Sequence, residues 1–231
     1  MNRRLASLLA ASLLASSTAL AQVDAPPPPP PLEDAGGGGG GAWSVYSGRT
    51  LKTGNVFAAE AGWPGVNASF YHGAGGFDIG GRFTFNYGTE ITFGILPEMN
   101  LHFLMRFGLL DRGMFTMALQ IEPGIGFFFS NGAGMLIHIP VALQMGIHPI
   151  RPLAILVGVE LRPQIGIFFG GGGGVGFFMP MLFVNPGVEY ALTDSVALTF
   201  RMAFGPGITA VGGGGGVGFS FRALMGVSIK L

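Results

Sequence analysis

Beyond residue 42 the chain alternates between apolar and polar positions with a period of two. From Phe77 to Ile95 the odd positions carry Phe, Ile, Gly, Phe, Phe, Tyr, Thr, Ile, Phe and Ile. The even positions from Asp78 to Gly94 carry Asp, Gly, Arg, Thr, Asn, Gly, Glu, Thr and Gly. Successive side chains of a strand point to opposite faces, so the segment has one apolar and one polar face. The pattern returns in Phe115, Met117, Leu119 and Ile121 against Thr116, Ala118, Gln120 and Glu122. It returns again in Leu153, Ile155, Val157, Val159 and Leu161 against Ala154, Gly158, Glu160 and Arg162. Predicted strands cover 56–72, 77–95, 100–110, 113–128, 134–148, 152–169, 175–191, 195–210 and 217–231. An up-going strand near 43–52 makes ten, in keeping with the even strand numbers of bacterial barrels. A turn at Tyr87-Gly88 would instead raise the count to twelve.

A soluble sandwich alternates too, with its apolar face inside. Three features favour the opposite arrangement. Several segments are far longer than the roughly 5 to 6 residues usual in globular sheets. Gly, Ala and Thr crowd the polar face, as the confined interior of a small barrel requires. The charges then decide. Among those from Asp78 onward, Glu98, Asp111, Arg112, Arg151 and Asp194 fall at predicted turns. The others are Asp78, Arg82, Glu90, Arg106, Glu122, Glu160, Arg162, Glu189, Arg201, Arg222 and Lys230, and all of them fall on the polar parity. For Glu189 this requires a parity switch near Pro180. A lipid-facing Arg or Lys at the bilayer midplane costs about 2 to 4 kcal/mol, so a lipid-contacting face excludes charge. No run beyond residue 42 reaches the roughly 20 apolar residues of a spanning helix. Helices and closed barrels are the two structures that satisfy their own backbone in lipid, so the fold class is an all-β, antiparallel, up-and-down transmembrane barrel.

The turns orient the chain. Leu110–Gly113, His148–Pro152 and Leu192–Ser195 are short and fit periplasmic turns, whereas Ser130–Gly134, Gly170–Gly174 and Gly212–Gly216 fit outer loops. Gly170–Phe177 and Gly212–Phe219 share the sequence GGGGGVGF. Pro123, Pro163 and Pro206 recur at a similar interval, as do Pro140 and Pro180. A period of about 40 residues equals one hairpin of two long strands and points to hairpin duplication. Because proline cannot donate to a ladder, bulges or shortened strands are expected at these positions.

The first 21 residues read as an export signal: Arg3 and Arg4, an apolar run from Leu5, then Ala19-Leu20-Ala21. Residues 22–42 form a low-complexity tail containing Pro26–Pro31 and Gly36–Gly41, expected to be disordered in the periplasm. The barrel is expected over 43–231. Its C-terminus resembles that of small bacterial outer-membrane β-barrel proteins, with Gly226, Ile229 and Leu231 in the alternation that the barrel-assembly machinery reads. Leu231 departs from the usual aromatic terminus. The resemblance implies the outer membrane of a Gram-negative bacterium, with lipid and the assembly machinery as partners. It is architectural and carries no activity across.

Composition narrows the chemistry. The 12 basic and 12 acidic residues give no net charge, which argues against nucleic acid as a partner. There is no Cys, which removes disulfides, thiol catalysis and cysteine metal sites. His102, His138 and His148 share the polar parity, so a pair could meet inside, yet no HExxH motif or tight His pair signals a metal site. The glycine runs lack the Lys-Ser/Thr of a phosphate-binding loop. Neither a cofactor nor a catalytic constellation is expected. The near-balanced inward charges fit internal salt bridges better than an ion-selective pore, which favours one sign. Arg82 with Asp78, and Arg162 with Glu160, are the expected local pairs. The resulting expectation is a non-enzymatic barrel, structural or a narrow conduit for small solutes. An outer-membrane enzyme acting on lipid or peptide is one rival, and a secreted glycine-rich adhesive protein is the other.

Overall fold

The computed structural model describes residues 43–88, 97–129, 133–169, 174–182, 184–211 and 214–231. Among them lie fourteen strand segments and no helix. In chain order they are β1 (Asn55–Trp63), β2 (Gly65–Gly73), β3 (Phe77–Asn86), β4 (Glu98–Arg112), β5 (Phe115–Ile121), β6 (Gly124–Phe129) and β7 (Ala133–His138). The chain continues through β8 (Val141–Ile150), β9 (Leu153–Leu161), β10 (Gln164–Phe169), β11 (Gly174–Leu182), β12 (Gly187–Ala191), β13 (Val196–Val211) and β14 (Gly214–Lys230). All pairings are antiparallel, and β14 pairs with β1 from Val56↔Lys230 to Trp63↔Ala223, closing an all-β barrel.

Four of the junctions are interruptions within one course of the wall. β4 pairs with β5 along its later half and with β6 along its earlier half, so β5 and β6 are one stave. The same holds for β7 with β8, β9 with β10, and β11 with β12. Fourteen segments with four such joins leave ten staves among the described residues. Their composition differs from the expected one in two places. The expected strand 56–72 is a hairpin that turns at Pro64, which has no N–H to offer a ladder. The expected strand near 43–52 is not a strand at all. Strand β3 ends at Asn86, and Tyr87 and Gly88 form a bend whose amides both donate to the Pro64 carbonyl. The rest of the expected 77–95 strand, including Glu90, lies outside the described residues.

Prolines mark the interruptions. Breaks fall at Glu122-Pro123, Ile139-Pro140, Arg162-Pro163 and before Pro186, whereas Pro180 and Pro206 remain inside paired ladders. The backbone accounts for this. Each proline keeps a carbonyl, and each receives an amide from the neighbouring stave: Phe103 to Pro123 at 2.8 Å, Glu122 to Pro140 at 2.8 Å, Ile139 to Pro163 at 3.1 Å and Arg162 to Pro180 at 3.0 Å. The prolines therefore form a lateral belt at one level, and the 40-residue period places them there. The parity switch expected near Pro180 occurs between Leu182 and Gly187, so that Glu189 is buried.

The wall is apolar outside and polar inside. Phe83, Phe115 and Ile155 are 42%, 53% and 42% exposed. The side chains of Arg82 and Glu160 are only 9% and 11% exposed. A soluble barrel has the reverse arrangement.

Residues 43–54 enter the lumen. Ser44, Val45, Tyr46 and Ser47 are buried, and Val45 and Tyr46 pack with Val56, Tyr71, Leu104 and Leu156, flanked by Trp43 and Leu51. The segment makes its bonds from the short-turn end. The Trp43 indole donates to the Asp194 carbonyl at 2.8 Å, and Arg49 reaches the Gly113 carbonyl at 3.1 Å. Gly48 permits the tight passage: its φ is +78°, and a Cβ there would stand 2.6 Å from the Gln144 carbonyl oxygen and 2.8 Å from the Ala118 nitrogen. Gly48→Val should therefore lower unfolding stability by at least about 1 to 3 kcal/mol. It should also open residues 43–54 to protease, read by denaturant titration and limited digestion in detergent.

Candidate functional site in the lumen

The interior polar groups are set by register. Asp78 on β3 lies opposite Arg106 on β4, and Arg106 Nη2 and Nε donate to Asp78 Oδ2 at 2.6 and 2.8 Å. Both side chains are buried. The expected Arg82–Asp78 pair does not form, because residues four apart on one strand are about 13 Å apart, whereas cross-strand neighbours are within about 5.5 Å. Arg82 instead spans to Glu122, with Nη1 at 2.9 and 2.8 Å from its two oxygens. It also donates to Ser69 at 2.9 Å and to the Tyr71 hydroxyl at 2.8 Å. The expected Arg162–Glu160 pair is present at 3.3 Å, and Arg222 shares the same carboxylate. Arg201 holds Glu60 through two bonds of 2.8 and 2.7 Å.

Glu60 and Glu98 are interior acids that the sequence reading passes over. Glu60 sits on the parity of Val56 and Ala58, among small residues that disguise its strand; a lone acid between alanines is the signal that could have found it. Glu98, assigned to a turn from sequence, opens β4 and faces inward, accepting from Asn86 and, at 3.0 Å, from Asn100. Lys230, by contrast, ends β14 exposed at the rim. Gly226 faces the lumen beside Glu60, where a Cβ would lie 2.6 Å from Glu60 Cγ. Ile229 points outward and Leu231 is exposed at the end of the wall.

Charged groups of the wall also grip the inserted segment. Arg106 donates to the carbonyls of Val45 and, at 3.4 Å, of Ser44. Glu189 accepts the Val45 amide at 3.4 Å. The Leu51 amide donates to Asp78 at 2.9 Å, and the Thr116 hydroxyl donates to the Ser47 carbonyl at 2.5 Å. The Arg201 guanidinium lies 4.0 Å from the centre of the Tyr46 ring, within cation–π range. Most of these contacts are to backbone, which any residue carries, so no pattern of side chains announces them.

Higher in the lumen the His102 and His138 rings meet with centroids 5.0 Å apart, while His148 lies near Thr116 at 3.0 Å. Above them Phe128 meets Phe168 edge-on at 5.1 Å, beside buried Leu136 and Phe178. Two small cavities lie among the described residues. One cavity of about 10 Å³ lies among Asn67, Arg82, Thr84, His102, Glu122 and Arg222. Another of about 40 Å³ lies among Tyr46, Gln144, Glu160, Asn185, Arg201 and Arg222. A single water needs about 10 to 15 Å³, so these two cavities hold water and little else. Among the described residues no three His, Cys, Asp or Glu side chains converge as a metal cluster.

Arg106→Ala would strand a buried Asp78 and release two carbonyls of the inserted segment, costing about 3 to 5 kcal/mol. Arg151→Ala, which removes an exposed partner of Asp194, should leave stability unchanged. Urea unfolding of the two variants in the same detergent separates these outcomes. No family model matches the chain, and no curated protein matches it, so the geometry carries the functional reading by itself.

Proposed function

We propose that the chain is an integral outer-membrane barrel with a structural, non-enzymatic role, its lumen closed by its own residues 43–54 and by the charge network above them. The single observation that carries the reading is the inversion of the wall: Phe57, Phe83, Phe103, Phe115, Ile155 and Phe200 face outward around the circumference while the paired charges are enclosed. An outer surface of this kind is matched by hydrocarbon, and lipid is the partner it fits. Among the described residues the lumen's two cavities are water-sized, which favours closure over a conduit.

The enzyme reading loses support because His102 and His138 are enclosed and cannot meet a lipid chain on the outer wall. A narrow conduit remains the second reading, on one observation. Residues 43–54 carry no strand pairing, and both Trp43 and Arg49 bond at the short-turn end, so the segment can withdraw as a unit.

Phe83→Arg tests the membrane reading. It should reduce stability in lipid by about 2 to 4 kcal/mol, whereas on a water-facing surface it would be neutral. Electrophoresis of detergent-extracted protein with and without boiling should give two mobilities. In planar bilayers the unaltered chain should give no single-channel steps, and regular steps would replace the structural role with the conduit.

A further inference from the structure

The upper lumen contains a buried imidazole that the charge network does not use. His138 is 1% exposed, and neither of its ring nitrogens has a hydrogen-bond partner. The Asn100 side-chain oxygen is likewise buried without a partner. Buried polar groups are ordinarily satisfied, and an orphaned cluster calls for a bound water or ion.

Glycines create the space. His102 on β4, Gly124 on β6 and His138 on β7 lie in one lateral row, so the two imidazoles meet over a residue with no side chain. A Cβ at Gly124 would stand 2.6 Å from His102 Nδ1. Two residues along, a Cβ at Gly126 would stand 1.8 Å from Asn100 Oδ1 and 2.9 Å from His138 Nε2. Asn100 Oδ1 thus occupies the place of the missing methyl, on the side of residue 126 that His138 Nε2 also approaches.

Neighbouring bonds orient the donors. Asn100 gives its amide nitrogen to Glu98 at 3.0 Å, and its oxygen lies over Gly126. His102 Nδ1 faces the Glu122 carbonyl at 3.3 Å; a carbonyl only accepts, so Nδ1 carries the proton and Nε2 keeps a free lone pair. Metal-binding histidines are commonly fixed in this way by a backbone carbonyl on the second nitrogen. Nearby charge is compensated, with Arg82 held by Glu122 and Arg162 by Glu160.

We propose that His102, His138 and Asn100 form a binding site for one divalent transition-metal ion of the zinc class, linking the β4 course to the β7 course across β6. Imidazole nitrogens suit zinc, copper and nickel, and amide oxygen and water complete such a shell. The adjoining water-sized cavity, which His102 also lines, supplies the water. The site does not depend on the membrane reading.

The test uses the full chain in detergent micelles, equilibrated with Zn2+ alone and assayed for retained metal and thermal unfolding. The expected result is about one Zn2+ per chain, with an unfolding midpoint that rises with Zn2+ concentration. H138A and H102A should each weaken binding by more than about tenfold. H72A, at an exposed histidine, should bind like the unaltered chain. G126A keeps both imidazoles but displaces Asn100 Oδ1, and it too should lose the metal; the mobility of unboiled protein reports that each variant has folded. Co2+ should occupy the unaltered chain and be displaced by Zn2+, a readout that needs no variant. Failure of the unaltered chain to retain Zn2+, or retention by H138A and G126A equal to that of the unaltered chain, overturns the site and leaves the unpartnered groups to a water molecule.

Discussion

An arginine shut inside a closed sheet has lost its water and must find its compensation among other enclosed groups. Here that requirement ties the register of the wall to its contents. Arg106 meets Asp78 because β3 and β4 pair in one register, and Arg82, Arg201 and Arg222 reach carboxylates on other staves. A slip of one residue would turn every member of a strand to the opposite face. Asp78 would then stand among the outward phenylalanines, and Arg106 would be left inside alone. A broken buried pair costs far more than an intact one contributes, so the network specifies the register more than it adds stability.

The same constraint explains why the lumen is filled in layers. Near the short turns the inserted segment supplies Val45 and Tyr46 to an apolar cluster. The ion pairs and the histidine pair occupy the middle, and Phe128, Leu136, Phe168 and Phe178 gather above. Glycine apportions the space between them. At Gly226 it makes room for Glu60, at Gly124 for the His102 imidazole and at Gly126 for the Asn100 amide. A structural barrel needs only that these layers remain closed; a conduit would need the lowest layer to leave and the middle one to part.

The proline belt shows how a repeated hairpin adapts to closure. A closed ladder has no edge on which to place a residue without an N–H. Prolines spaced by one hairpin length stand side by side on neighbouring staves, so the missing donors fall in one row. The carbonyls of Pro123, Pro140, Pro163 and Pro180 still accept from the next stave, and the wall remains connected across the row.

The period of two and the confinement of charge to one parity were both readable in the sequence, because strand geometry alone fixes which residues share a face. That was enough to determine a closed antiparallel barrel with its polar side inward, and to place Arg162 beside Glu160. The role of 43–52 was not readable. A short run with alternating character looks like a strand, and its burial depends on backbone contacts to Arg106, Glu189 and Thr116, which leave no pattern in its own residues. The true partners of Arg82 and Asp78, and the meeting of His102 with His138 over Gly124, were equally hidden. They depend on which strands become neighbours and in what register, and only closure of the sheet decides that.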